Sequence, residues 1–216
     1  MKKFSYLLSI MIAALALISC EPNSTNASHG HTITSIDYQP YANVLAKYVD
    51  KKGLVDYKGL LKNREEFDAF MHQIEEVDIS GFSDVEKKTF WINAYNAITL
   101  NVVLSDYPVK SIRHINFGLV WNLPRKVAGD KKSLGHIEHK ILRPMGDPRI
   151  HFAINCASIG CPKLPNKPFL PETLDEQLEY ESRRFINDPE KVKLDRRENI
   201  LWYSAIFKWF EEDFLQ

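Results

Sequence analysis

A chain of 216 residues with 28 basic and 28 acidic side chains has no formal net charge, which removes the electrostatic case for nucleic-acid binding. Its 44% hydrophobic and 12% aromatic content fits a folded globular protein and excludes an intrinsically disordered one. There is no internal repeat, and no second apolar run of membrane-spanning length follows the N-terminal one, so one core of ordinary domain size is expected.

The chain opens on Met1-Lys2-Lys3, followed by an apolar run from Phe4 to Ile18 relieved only by Ser5, Tyr6 and Ser9. A positive start, a short apolar stretch and polar sequence directly after it make residues 1–19 a secretory signal rather than a spanning helix. Leu17-Ile18-Ser19-Cys20 resembles the bacterial lipobox, in which a small residue precedes the cysteine. That resemblance implies cleavage before Cys20, lipidation of its thiol and acylation of the new amine. Several acyl chains anchor firmly, because each buried CH₂ contributes roughly 0.8 kcal/mol. The expected partner is a membrane, reached through this lipid, and the expected location is the bacterial cell envelope. Cleavage also removes Lys2 and Lys3, leaving two more acidic than basic residues.

Glu21 to His31 holds no large apolar side chain, so residues 20–36 are expected to be the lipidated cysteine and its tether, and 37–216 the folded domain. His29 and His31 read as part of the solvated tether rather than as metal ligands.

Tyr41 to Asp50 is the first expected helix, closed by Gly53. From Arg64 to Val77 the residues Phe67, Phe70, Met71, Ile74 and Val77 recur at helical spacing and predict a second. Ser83-Asp84-Val85-Glu86 is a capping box that opens a long helix to about Leu104, ended before Pro108. Its stretch Phe90 to Leu100 is apolar nearly all round and should be buried. Yet Asn93 and Asn96 lie there, one turn apart on one side. A buried amide without a partner costs roughly 1–3 kcal/mol, so both must either pin backbone or line a site.

Arg113 to Pro124 is loop-like, with aromatic anchors. Lys126 to Ser133 reads as a hairpin turning at Gly129-Asp130, and Ser133 caps a short helix from Leu134 to Leu142. Alternation of Ile150, Phe152, Ile154 and Cys156 against His151 and Asn155 predicts a strand over 149–156. A loop carrying Cys161-Pro162 leads to a helix that begins at Pro171, with Leu174, Leu178 and Phe185 facing inward. Val192 to Asp195 and Ile200 to Ser204 form a second expected hairpin, and Ile206 to Phe214 a terminal aromatic helix. The sum is an α+β domain with a central buried helix and short antiparallel strands.

Five stretches appear in order: Phe90-Trp91-Ile92-Asn93-Ala94-Tyr95-Asn96-Ala97, Ile137-Glu138-His139, Arg149 to Cys156, Cys161-Pro162, and Ile206 to Phe214. Together they resemble the domain-of-unknown-function 547 family, across essentially the whole mature chain. That family brings no established reaction, although kinship with papain-like and transglutaminase-like cysteine hydrolases is suspected for it. Such kinship implies a thiol-dependent hydrolase or acyltransferase. Cys156 would be the nucleophile, with Cys161 as the alternate. His139 would be the base, with His151 as the alternate. Glu138 would be a helper, and Asn93 or Asn96 an orienter or oxyanion donor. The order departs from the papain-like one, which places the cysteine at the start of the central helix and ahead of the histidine.

The competing expectation is a non-catalytic envelope domain. With Cys20 lipidated, Cys156 and Cys161 are five positions apart in an oxidising compartment and can form a disulfide. Glu138, His139 and His151 show no zinc-protease spacing, so no metal or cofactor is expected.

Overall fold

A computed structural model describes Thr32–Leu215. The signal, Cys20 and the tether up to His31 lie outside the described residues. Helices carry the architecture: α1 Gln39–Tyr48, α2 Tyr57–Lys62, α3 Glu65–Glu76 and α4 Asp84–Ser105 build the first half. α5 Leu134–His136 runs on as a π-helical turn, Ile137–Leu142, and is followed by α6 Ile150–Ala153 and α7 Leu174–Ile186. Two separate antiparallel hairpins complete an α+β fold: β1 Arg125–Val127 with β2 Asp130–Lys132, and β3 Val192–Asp195 with β4 Ile200–Tyr203. Two short helices, α8 Ile206–Trp209 and α9 Glu211–Phe214, end the described chain. No helix of the described residues is long and apolar enough to cross a membrane.

The core is organised around α4, on which every residue from Thr89 to Leu100 is buried. The expected capping box starts it. Glu86 N donates to Ser83 Oγ at 3.3 Å, and Ser83 N donates to Glu86 Oε2 at 2.8 Å. α1 and α3 pack beside it, with the Tyr41 and Phe70 rings stacked at 4.5 Å. A smaller aromatic cluster joins α6, α7 and the C-terminal helices through Phe152, Phe185 and Ile206.

Several expectations are corrected. α1 ends at Tyr48, because Val49 turns extended to bridge Val55; Gly53, at φ +78°, serves the turn between them. A Cβ there would meet the Lys163 Cβ at 2.8 Å. α2 has no counterpart in the sequence reading; its single buried residue, Leu60, gives no periodicity to detect. The first hairpin turns at Ala128-Gly129, both left-handed, and Asp130 already pairs with Val127. Phe117 is no anchor: it is fully exposed, at φ +55°.

The predicted strand over 149–156 is absent. Asp147-Pro148 instead starts a helical turn, where His151 N donates to the Pro148 carbonyl and Ile154 N to the Ile150 carbonyl. No neighbouring strand offers a ladder there, and Ile150 through Ile154 are all buried, so the alternation reflected burial rather than a pleat. The terminal helix is also broken, at Phe210, where φ is −120° and ψ 29°.

Candidate functional site

The central-helix amides are the first elements of the site. Asn93 Nδ2 donates to the Phe169 carbonyl at 2.8 Å, and Phe169 N donates back to Asn93 Oδ1 at 3.0 Å. One turn later, Asn96 Nδ2 donates to the Ala153 carbonyl at 3.0 Å, and Asn155 N donates to Asn96 Oδ1 at 2.7 Å. Each amide thus matches a backbone N–H and C=O as a neighbouring strand would. Gln177 repeats the device on Pro168 and Leu170, and Asn155 on Pro162 and Ala157. Four amide clamps supply the hydrogen bonds that a sheet would have given to these loops.

Asn96, Asn155 and Pro162 lead directly to the cysteines. Cys156 and Cys161 are joined in a disulfide, their Cα atoms 6.0 Å apart, within the usual range for such a bond. The loop between them is held from inside by Asn155. From outside, the Lys191 ammonium, itself buried, donates to the Ile159 carbonyl.

The histidines and Glu138 gather elsewhere, where the π-helical turn, α6 and the C-terminal helices meet. His151 on α6 is 2% exposed, and its Nε2 lies 2.6 Å from Asp213 Oδ2 on α9. Burial lowers the His151 pKa despite the carboxylate beside it. Asp213 also accepts from Arg143, Nε at 2.7 Å and Nη2 at 2.9 Å; these bonds pull its carboxyl below the usual range. The break at Phe210 lets that ring stack on His151 at 3.9 Å while the Arg143 guanidinium covers it at 5.3 Å.

His139 is exposed, with Nδ1 3.5 Å from Arg143 Nη1 and its ring 6.1 Å from Phe210. Glu138 turns the other way and accepts from the buried Tyr95 hydroxyl at 3.3 Å. Burial raises the Glu138 carboxyl above its ordinary pKa, and burial with the neighbouring Glu138 raises that of Tyr95. A π-helical turn is rare, and here it carries Glu138 and His139 of the cluster.

The structure therefore brings Glu138, His139 and His151 to one region and the two cysteines, with Asn96, to another. Among the described residues neither histidine hydrogen-bonds a cysteine, and no group of three or more His, Cys, Asp or Glu side chains could hold a metal. The sequence reading missed Tyr95, Arg143, Phe210 and Asp213. Arg143 and Asp213 stand 70 positions apart, so no local signal paired them. Two surface depressions, one lined by Phe152, Lys163, Glu181 and Lys191, the other by Arg143, Asp147 and Asp213, hold little more than a water molecule each.

The sequence matches the family described as "Protein of unknown function, DUF547" over residues 79–186, half of the chain. The match takes in α4 through α7, with both amide-bearing turns, Glu138, His139, His151 and both cysteines, and stops short of Phe210 and Asp213. No curated protein and no solved structure matches the chain.

Proposed function

The chain belongs to the DUF547 family, and we propose that it serves as a lipid-anchored, non-catalytic domain of the bacterial cell envelope. The observation that carries this reading is the Cys156–Cys161 bond. A thiol hydrolase works through a free thiolate beside an imidazole, and here the sulfur is engaged by its partner. Asn93 and Asn96 support the same reading. The oxygen and one N–H of each amide are engaged with backbone, a structural use of both side chains that favours the non-catalytic reading.

The lipid anchor rests on the lipobox at Leu17-Ile18-Ser19-Cys20. Export to an oxidising compartment and a disulfide are consistent with one another. On this reading the Arg143–Asp213–His151 network is a clasp that fastens the C-terminus, and the amide clamps fix the loops that a sheet would otherwise hold.

Thiol counting tests the proposal. Purified protein carrying its lipid should expose no reactive thiol until reductant is added, and then two. A single thiol that labels rapidly near neutral pH without reductant would overturn the reading and restore Cys156 or Cys161 as a nucleophile. Mass spectrometry of the N-terminal peptide should find Cys20 acylated; an unmodified Cys20 would remove the anchor.

A further inference from the structure

The β3–β4 hairpin buries almost nothing. All four residues of β4 are exposed: Ile200 by 43%, Leu201 by 53%, Trp202 by 63% and Tyr203 by 57%. In the observed register Val192 stands opposite Tyr203 and Leu194 opposite Leu201, so one face of the hairpin is wholly apolar. The other face sets Lys193 beside Trp202 and Asp195 beside Ile200. Arg196, Arg197 and Glu198 are exposed at the tip, and the Asp195 carboxylate accepts the Arg197 and Glu198 amides. A two-stranded sheet with both faces in water is marginal, and an uncharged free edge invites a partner.

We infer that this hairpin seats on the lipid surface to which Cys20 fastens the chain; the inference rests on the lipid-anchor reading. Tryptophan and tyrosine favour the headgroup level, aliphatic side chains favour the region just below it, and arginine and lysine meet phosphates. The hairpin carries all three classes within twelve residues, Val192 to Tyr203. The distance is suitable as well. Glu21 to His31 reaches at most about 40 Å when extended, comparable with the diameter of a domain this size, about 40 Å. An anchored chain therefore presents its surface to the bilayer intramolecularly, at an effective concentration on the order of millimolar, where a small apolar patch suffices.

The test separates hairpin from anchor by using the mature chain from residue 20 with Cys20→Ser, so that no acyl chain is present. It is mixed with vesicles of phosphatidylethanolamine and phosphatidylglycerol at several millimolar accessible lipid, on the order of the concentration the anchor would supply, then sedimented, while tryptophan emission is recorded. The parent should partition with a blue-shifted emission. Leu201→Ser with Trp202→Ser should lower partitioning at least tenfold while keeping the parent's melting temperature. Arg196→Gln with Arg197→Gln should lower it several-fold on the anionic vesicles. Equal partitioning of parent and hairpin variant, or none by the parent, would overturn the inference. So would a parent that dimerises through β4 in the absence of lipid. Acylation of native Cys20 is read independently, so the anchor can fail while the hairpin holds, or the reverse.

Discussion

Asn96 joins α4 to two loops through one amide, and its removal should be costly. Asn96→Ala leaves the Ala153 carbonyl and the Asn155 N–H without their partner inside the core. At roughly 1–3 kcal/mol for each of the two orphaned groups, the variant should lose about 2–6 kcal/mol in denaturant unfolding. An unchanged midpoint would show that the clamp is not structural. His151 makes a prediction of opposite character, because it concerns protons. Burial lowers its pKa, so the unfolded chain binds a proton more readily than the folded one. Its contribution is fully present above the ordinary histidine range, near pH 6.5, and is lost as pH falls from there toward the folded value. Glu138 has the opposite sign, since its raised carboxyl gains stability as pH falls through the folded value. Stability should therefore be followed from pH 7.5 to 5 in a Glu138→Gln background. It should decline there, and adding His151→Gln should flatten the decline. A profile unaffected by His151→Gln would remove the buried neutral imidazole from the account. Asp213 belongs to a lower window: its depressed carboxyl keeps the Arg143 pair intact until pH falls below the ordinary carboxylate range, near 4.

Among the elements, α4 is the one whose sequence and structure agree most fully. A capping box set its start, and burial on all sides followed from an apolar circumference. Its two asparagines were legible as a problem that needed a partner, but the partners lie 57 to 76 positions away. The loop from Cys156 to Cys161 is the element with the clearest covalent contribution. In the chain-entropy account a closed loop of this length stabilises by about 2 kcal/mol. Replacing both cysteines by alanine should lower stability by about that amount. It should leave the Asn155–Pro162 bond, and hence the loop's backbone, in place. Calorimetry checks the first, and amide-exchange protection at Ala157 the second. A loss well above 4 kcal/mol would mean that the disulfide, not the amide clamps, holds the segment.

At the scale of the molecule, the C-terminal helices act as a clasp. They contribute Ile206, Phe207, Phe210 and Phe214 to the aromatic cluster on Phe152 and Phe185, and Asp213 to Arg143 and His151. A chain ending after Tyr203 exposes the apolar sides of α6 and α7 and leaves His151 without its stacked ring. It should lose at least about 4 kcal/mol, given roughly 1.5–3 kcal/mol for each large side chain no longer buried. Retention of the full melting temperature would show the clasp to be peripheral. The family match ends at residue 186, so the match carries Arg143 and His151 without the element whose Asp213 closes on them.

Both hairpins, the longer helices apart from α2 and α6, the cap of the central helix and the family resemblance were written in local pattern: periodicity, capping chemistry and turn residues act over a few positions and can be read there. The N-terminal lipidation reading is of the same local kind. The strand expected over 149–156 failed because alternating apolar residues are equally compatible with a helical turn buried on every side, and only the absence of a neighbouring strand separates the two. The polar assignments were decided by tertiary structure for a related reason. A hydrogen bond or a disulfide depends on where distant backbone arrives, so Asn93 and Asn96 met carbonyls and amides, His151 met Asp213, and Cys156 met Cys161. Asn93, Asn96, Glu138, His139, His151 and the two cysteines stood out in the sequence; Tyr95, Arg143, Phe210 and Asp213, and the distances that joined them all, belong to the fold.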